Sequence, residues 1–383
     1  MLDASTGLDH RIHVLQTAFA HRKTKPKPKP LRILFAGERW LGSDAYAYER
    51  AFQRAGHAVL TIDSATYLPR GWRSNKLRAL RRTIMPVLVR EYEEAVIQAV
   101  KSTKPHLFVG FKAPFLTVRA LNAVKKTSAI AINIYPDVSV MAHGPRLPRT
   151  LPRYDWVFTT KSFGVLDMHE RLQIENASFF PPAFDPELHR PMTLSVSERA
   201  RFSSDISFIG TWSPKKEAIL KEIKTAHPNV RLRIWGTYWD RAKSNAVKSA
   251  WEGHELIGPD FTKAICASKI NLGLLSEKSP GSSQGDVITH RTIAIPACSA
   301  FMLHEETEEL ATYFKIGREI AAFSGTVDLN EKITFYLGAE TERRRIAAAG
   351  RTRVLAFDHS VDRRVKDVIA RYESLSSGER HLS

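Results

Sequence analysis

Two series of short apolar runs, each alternating with amphipathic stretches, follow one another from Leu31 onward. The first series contains LRILFAG, HAVLTID, HLFVG, AIAINIY and DWVFTT, and the second contains DISFIG, RLRIWG, INLGLL, AFMLH and EIAAF. Continuous apolar runs separated by helical stretches are typical of parallel strands that are covered by helices. The pattern therefore predicts two similar α/β units in tandem, which suits a chain of 383 residues.

A proline-rich segment separates the two series. FPPAFDPELHRPMT holds four prolines, and proline disfavours both helix interiors and central strands. Near the start of the chain, HRKTKPKPKP alternates proline with lysine, which favours an extended, self-repelling tether. We predict a flexible basic tail over residues 1–30, a first domain over 31–184, a second domain over 185–356 and a C-terminal helix and tail over 357–383.

Composition excludes several protein classes. Hydrophobic residues make up 43% and charged residues 25% of the chain, so a folded globular protein is expected. No apolar run approaches the ~20 residues that cross a bilayer, and the N-terminus lacks the features of a signal peptide. With only two cysteines, the chain fits a reducing cytoplasm and offers neither a disulfide framework nor a four-ligand zinc site.

The chain is strongly basic. Its 57 basic and 40 acidic residues give a net charge of +17, which favours anionic partners such as nucleotides, nucleic acids or anionic lipids. No nucleic-acid-binding motif accompanies the charge, so specific nucleic-acid binding is not expected. The stretch from Arg70 to Arg90 predicts a cationic amphipathic helix, which suits either an anionic membrane surface or a solvated face over the core. A cytoplasmic location follows, and peripheral contact with the inner membrane face stays open.

The loop after the first strand, GERWLGSD, resembles a phosphate loop but departs from it. Ser43 stands where a phosphate loop needs lysine after its second glycine, and three glycines in GxGxxG spacing are missing. P-loop NTPases and classical NAD enzymes are therefore disfavoured. Gly37, Gly42 and Ser43 remain candidates for a turn whose amides approach an acceptor or a phosphate, with a purely structural turn as the alternative.

The first strand of the second unit leads into FIGTWSPKKEAIL. Lys215 and Lys216 lie in the predicted first turn of a helix, where the helix dipole disfavours cations. A bound anion would explain both lysines, although a solvated surface pair is an equal alternative. The candidate donor-binding residues here are Gly210, Thr211, Trp212 and Lys215, together with Gly236 at the end of the next strand.

The segment GDVITHRTIAIPACSAFML predicts a helix over Asp286 to Ile295 in front of a buried strand. A guanidinium near the start of that helix can hold a diphosphate at two points, which favours Arg291 as a donor ligand. The alternative is a structural arginine paired with one of the acids between Glu305 and Glu309. Asp286 and Thr289 complete the candidate donor site.

Two candidates for the general base lie in the first unit. Asp137 and His143 follow its fourth strand, at the carboxyl end where α/β sheets place their chemistry. Either could accept a proton from a hydroxyl group, and His143 could equally be an ordinary surface histidine.

Several segments together resemble the CgeB-type (spore maturation protein-like) glycosyltransferases of the GT-B class. These are PPAFDPELHRP, DISFIGTW, HRTIAIPACSAFMLHEETEELATYFKIGREIAAF and AAAGRTRVL, and the likeness spans residues 32 to 373. The resemblance implies two Rossmann-like domains, with a nucleoside-diphosphate sugar held by the second, a hydroxyl acceptor held by the first and neither a metal nor a further cofactor. It also implies that Gly210 to Trp212 border the donor, that Arg291 holds its diphosphate and that the helix Val361 to Tyr372 crosses back to the first domain.

One position departs from the pattern of that family. In that family, a segment of four residues usually begins with Arg and ends with Glu, and the Glu binds ribose hydroxyls. A second acidic residue usually stands eight positions before the Glu. Here Ala294 replaces the Glu, whereas Asp286 keeps the earlier acid. We expect a glycosyltransferase acting on a glycan, lipid-linked or protein hydroxyl. The alternative is a non-catalytic protein on the same scaffold that binds a nucleotide sugar or a polyanion.

Overall fold

The structure, a computed structural model, describes residues 29–68 and 75–378. The predicted basic tail lies almost wholly outside these residues, as do Arg70 and Arg73 of the cationic stretch. Within the described ranges, none of the helices combines the length and the apolar composition that a bilayer crossing requires.

The first half of the chain forms a parallel sheet of six strands in the order β2-β1-β3-β4-β5-β6. Its strands are β1 (Arg32–Gly37), β2 (Ala58–Asp63), β3 (Leu107–Phe111), β4 (Ile130–Tyr135), β5 (Trp156–Thr159) and β6 (Ala177–Phe179). The helices between them are α1 (Asp44–Arg54), α2 (Ser64–Tyr67), α3 (Asn75–Thr103), α4 (Val118–Lys125), α5 (Arg146–Thr150) and α6 (Gly164–Leu172), with a 3₁₀ turn at Leu151–Arg153.

The second half forms a parallel sheet of five strands in the order β11-β10-β9-β7-β8. Its strands are β7 (Ser204–Ile209), β8 (Leu232–Trp235), β9 (Ser268–Gly273), β10 (Met302–Glu305) and β11 (Ala321–Phe323). The helices are α7 (Val196–Phe202), α8 (Pro214–Ala226), α9 (Asn245–Ala250), α10 (Pro259–Ala267), α11 (His290–Ala297), α12 (Glu308–Tyr313), α13 (Gly325–Gly338) and α14 (Glu340–Ala356), with a 3₁₀ turn at Trp239–Arg241. The predicted pair of tandem α/β units is confirmed.

Burial follows strand position. The central strands are covered on both faces, so that Leu34, Phe108 and Ile206 are all 0% exposed. Strand β2 differs, because it lies at the edge of the first sheet and keeps residues such as Leu60 partly in solvent. An apolar run in the sequence therefore marks a strand but does not tell a central strand from an edge strand.

The last helix, α15 (Val361–Ser376), packs against α1 and β4 of the first half. An ion pair of 2.8 Å between Arg54 on α1 and Asp362 on α15 joins the two helices at their ends. This contact confirms the prediction that a C-terminal helix crosses back to the first domain.

The segment between β9 and α11, residues 276–288, is called here the interdomain segment because it contacts the first half of the chain. The Ser139 hydroxyl donates to the Pro280 carbonyl at 2.7 Å, and the Ser283 amide donates to the Asp167 carboxylate at 2.9 Å. The helix predicted from Asp286 instead begins at His290, because Thr289 is its N-cap. The residues just before it form the irregular end of the interdomain segment.

Candidate active site

A cleft of about 780 Å³ opens between the carboxyl ends of the two sheets. In open α/β sheets, ligands bind at this end of the strands, where the connecting loops converge. The first domain lines the cleft with residues such as Gly37, Gly42, Ser43, Phe111, Lys112, Phe115, Asp137 and His143. The second domain lines it with residues such as Gly210, Thr211, Gly236, Tyr238, Glu255, Thr289, His290 and Arg291.

The Arg291 side chain extends from the first turn of α11 to the end of β7. Its Nη1 and Nη2 atoms donate to the carbonyl oxygens of Ile209 and Leu274 at 2.7 and 2.8 Å, and its guanidinium lies 5.1 Å from the centre of the Phe208 ring. Its Nε atom is buried and has no hydrogen-bond partner among the described residues. Burial lowers the pKa of Arg291 from its ordinary value, although the nearby Asp286 and Glu305 act in the opposite direction. Arg291 is thus held in a fixed orientation at the cleft.

Lys216 is a second buried cation in the same region. Its side chain points inward from the first turn of α8, where Ser213 is the N-cap, and Lys216 is only 3% exposed. The Nζ atom donates to the Thr211 carbonyl at 3.3 Å and to the Ser276 hydroxyl at 2.9 Å. Burial, and then the charge of Arg291, lower the pKa of Lys216 to about 8. An anion at the cleft would offset both effects.

Lys216 was not among the predicted site residues, whereas its neighbour Lys215 was. Neither lysine is part of the cleft lining. The Lys215 Nζ atom lies 2.5 Å from Glu305 and its amide donates to Glu277 at 2.9 Å, whereas Lys216 donates to the carbonyl of Thr211, which does line the cleft. The anion at the start of α8 is therefore the Glu277 carboxylate of the chain itself. Helical spacing could have predicted which of the two lysines is buried, because Lys216 shares the buried face of α8 with Leu220 and Ile223.

Trp212 also lies outside the cleft lining, because its indole N–H donates to the Glu217 carboxylate at 2.8 Å. Gly210 and Thr211 line the cleft together with Gly236. Gly236 has a φ of +137°, and a Cβ atom there would lie 2.0 Å from the Gly210 carbonyl oxygen. Only glycine allows the ends of β7 and β8 to approach so closely.

Asp286 and Thr289 have structural partners. The Asp286 carboxylate lies 2.5 Å from the Lys161 Nζ atom, and Asp286 is not part of the cleft lining. Thr289 does line the cleft, and its amide donates to the Thr292 hydroxyl at 2.9 Å as part of a capping box. Ala294, which replaces the glutamate of the family pattern, is fully buried in the core. Glu255 is the carboxylate that the second domain presents in the described cleft lining.

Asp137 and His143 contact each other on the first-domain side of the cleft. The His143 Nε2 atom lies 2.7 Å from the Asp137 Oδ2 atom, and the Lys112 Nζ atom lies 2.5 Å from the same oxygen. Burial acts to raise the pKa of Asp137, but the close contact with His143 and the charge of Lys112 outweigh it and hold the pKa well below its usual range. Asp137 is therefore ionised and weakly basic, which makes it suited to orienting His143.

Gly37, Gly42 and Ser43 lie together at the rim of the cleft. The Ser43 hydroxyl is the N-cap of α1, accepting from the Tyr46 amide at 3.0 Å and donating to the Glu38 carbonyl at 2.8 Å. Gly42 has a φ of +98°, and a Cβ atom there would lie 2.4 Å from the Gly258 nitrogen. The loop thus lies directly against the second domain.

Comparison with known families identifies a relative of the second half of the chain. Residues 215–370, which contain Lys216, Gly236 and Arg291, match the glycosyl transferase-like family. No curated protein sequence shows a significant match to the chain. The family match confirms the predicted class of enzyme, a glycosyltransferase.

Solved structures share the fold at low sequence identity. Sucrose-phosphate synthase from Thermosynechococcus elongatus has a TM-score of 0.61 at 12% identity, covering 91% of this chain and 100% of that chain. A glycosyltransferase from Rickettsia africae has a TM-score of 0.61 at 11% identity, covering 90% and 98%. HepE from Anabaena, solved in complex with UDP-glucose, has a TM-score of 0.60 at 11% identity, covering 89% and 100%. The chain therefore has the two-domain GT-B fold of these proteins.

Proposed function

We propose that the protein transfers a sugar from a nucleoside-diphosphate donor, with UDP-glucose as the first candidate, to a hydroxyl acceptor in the cleft. The donor diphosphate lies against the second domain and the acceptor against the first. No metal or further cofactor takes part in this scheme. The proposal takes the donor class from the solved complex of HepE with UDP-glucose, which shares this fold.

The observation that carries the proposal is the presence of two positively charged side chains, Arg291 and Lys216, in the same part of the second domain. Lys216 is buried and Arg291 donates to carbonyl oxygens at the cleft, and neither forms an ion pair with a carboxylate among the described residues. Two such charges repel each other, which is one reason why the pKa of Lys216 is lowered. A diphosphate would relieve the repulsion and form charge-assisted hydrogen bonds.

The same arrangement suits the departure of a nucleoside diphosphate. As the glycosidic bond to the donor breaks, negative charge grows on the leaving diphosphate, and fixed positive groups stabilise that charge without having to reorganise. Arg291 is fixed by the carbonyl oxygens of Ile209 and Leu274.

His143 is the proposed general base toward the acceptor hydroxyl, oriented by Asp137.

We further propose the CgeB-type subfamily, the domain boundaries 31–184 and 185–356, and a cytoplasmic location with contact to an anionic membrane surface. Gly210, Thr211, Gly236, Thr289 and Arg291 are the proposed donor contacts from the predicted set. Lys216 is added to this set because it donates to the carbonyl of Thr211, although it is not itself part of the cleft lining. Trp212, Lys215 and Asp286 are left out of the donor contacts, because each is paired with a residue of the chain itself.

Calorimetric titration with UDP and UDP-glucose tests the donor site. We expect Arg291→Ala and Lys216→Met each to weaken binding about 10- to 100-fold, because a charged hydrogen bond contributes about 1.5–3 kcal/mol. Lys215→Met is the matched control and should stay within about twofold of wild type, because an exposed ion pair contributes little. Equal losses in Lys215→Met and Lys216→Met, with the fold intact by circular dichroism, would contradict the site.

A non-catalytic sugar-nucleotide-binding protein is the second candidate, and Ala294 is the observation that favours it. The buried methyl group of Ala294 cannot accept a hydrogen bond from a ribose. Release of UDP from UDP-glucose in the presence of an acceptor panel, abolished in Arg291→Ala, would dismiss this candidate. Tight UDP binding without any turnover would support it.

A further inference from the structure

A second histidine–carboxylate contact spans the cleft itself. His290, in the first turn of α11, points its Nε2 atom at the Asp44 Oδ1 atom of α1 across a gap of 3.6 Å. Both residues line the cleft, and they belong to different domains. Unlike the contact between Asp137 and His143, this one would have to break if the two domains moved apart.

The His290 ring has a defined position. It meets the His189 ring edge to face at 4.9 Å between centroids and lies 6.3 Å from the Phe261 ring. His189 belongs to the segment between the domains and is buried, which strongly lowers its pKa, as does the charge of His290. His290 is the ring of the pair that faces a carboxylate, Asp44. Because imidazole groups ordinarily change charge between about pH 5 and pH 8, an acidic buffer is the condition in which a histidine–carboxylate contact becomes an ion pair.

The charged side chains described near His290 belong to α1 and α11. Asp44 on α1 faces it directly, Arg291 follows it in α11, and Arg50 lies close enough to His189 to affect its pKa. Arg50 is itself paired with Asp185 and Glu187. Phe261, which packs against the ring from α10, is uncharged. Asp44 is therefore the carboxylate that a protonated His290 would meet.

We propose that His290 is a positioning residue for the donor, acting through a bridge to Asp44 across the cleft. When His290 is protonated, its charge attracts Asp44 and holds the first-domain helix α1 against the start of α11. The bridge keeps the cleft closed next to Arg291, so that the bound diphosphate remains in place. This inference rests on the proposed donor site.

A double-mutant cycle tests the bridge with His290→Gln, Asp44→Asn and the double variant. UDP affinity is measured by calorimetry at pH 5.5 and at pH 7.3, and each variant is compared with wild type at the same pH so that protonation of the nucleotide cancels. At pH 5.5 we expect each single variant to weaken UDP binding about two- to fivefold, which is the range of a partly exposed ion pair. The double variant should lose no more than the single variants. At pH 7.3 the four proteins should converge.

The sign of the Asp44→Asn effect distinguishes the bridge from a direct contact between His290 and the diphosphate. If His290 touched the diphosphate directly, removing the negative charge of Asp44 would strengthen UDP binding, and that result would overturn the proposal. Independent losses that multiply in the double variant would overturn it as well.

Unfolding of the same four proteins distinguishes failure of the bridge from failure of the donor site. Coupling between the two substitutions in the midpoint of urea unfolding at pH 5.5, absent at pH 7.3, is expected from the bridge. If that coupling appears but wild type binds no UDP, the bridge stands and the proposed donor function fails. If wild type binds UDP and the unfolding coupling is absent, the bridge is overturned.

Discussion

Lys161 of the first domain and Asp286 of the second form an ion pair that is almost completely withdrawn from solvent. The Nζ–Oδ1 distance is 2.5 Å, and the two side chains are 7% and 9% exposed. Lys161 also donates to the Ile288 carbonyl at 3.4 Å. The pair thus fixes the end of the interdomain segment, which leads directly into α11 and Arg291, so the position of Arg291 depends on a residue of the first domain.

Lys161→Met is expected to lower the free energy of unfolding by about 3–5 kcal/mol, because it leaves the Asp286 carboxylate buried without its partner. Urea unfolding followed by circular dichroism measures the loss. The double variant Lys161→Met with Asp286→Leu is the control and should recover most of the stability, since it leaves no buried charge behind. Equal destabilisation in the single and double variants would show that packing, and not charge, accounts for the loss.

Gly236 offers a test of the close approach between the ends of β7 and β8. Gly236→Ala would place a Cβ atom 2.0 Å from the Gly210 carbonyl oxygen, at a φ of +137°. Gly253→Ala is the matched control, because Gly253 also has a positive φ of +79° but nothing within 4 Å of the added atom. The control should lose about 1–3 kcal/mol from backbone strain alone. We expect Gly236→Ala to lose clearly more in urea unfolding, and similar losses would refute the close approach.

Lys216 should give UDP binding a characteristic dependence on pH. Its pKa is about 8 in the folded protein and 10.5 ordinarily, so the unfolded chain binds more protons between these values and the Lys216 contribution to stability rises with pH in this window. Diphosphate binding needs the charged form, so affinity should fall as pH rises through 8. Calorimetry from pH 7 to pH 9.5 should show this fall in wild type and Lys215→Met but not in Lys216→Met.

The two parallel sheets could be predicted from the sequence because each buried parallel strand appears there as a short continuous run of apolar residues. Every run of the two apolar series became a strand, from Ile33 in β1 to Phe323 in β11. The start of α11 was predicted four residues too early. The Asp286 side chain is satisfied by Lys161, which lies 125 positions away in the chain, and no local pattern reports such a partner.

The candidate site was only partly accessible to sequence reasoning, for the same reason. Arg291 and Gly236 lie where predicted because strand ends and helix starts define the ligand face. The choice between Lys215 and Lys216 depended on which helix face was buried, and the partner of Lys215 was Glu305 on a different strand. The His290 contact with Asp44 requires the two domains to face each other, which the order of the elements does not specify.

The contact between Asp137 and His143 leads to the last prediction, which concerns catalysis alone. Asp137→Asn removes the carboxylate that orients His143, and His143→Gln removes the proposed base, so each should lower the transfer rate by about 10²- to 10⁴-fold. UDP affinity should stay within about twofold of wild type in both, because neither residue lies on the donor side. The matched control is His169→Gln, which disrupts an exposed contact of 3.1 Å with Glu175 and should change neither quantity. Unchanged turnover in His143→Gln, measured by UDP release with an active acceptor, would remove His143 from the mechanism and leave the donor site intact.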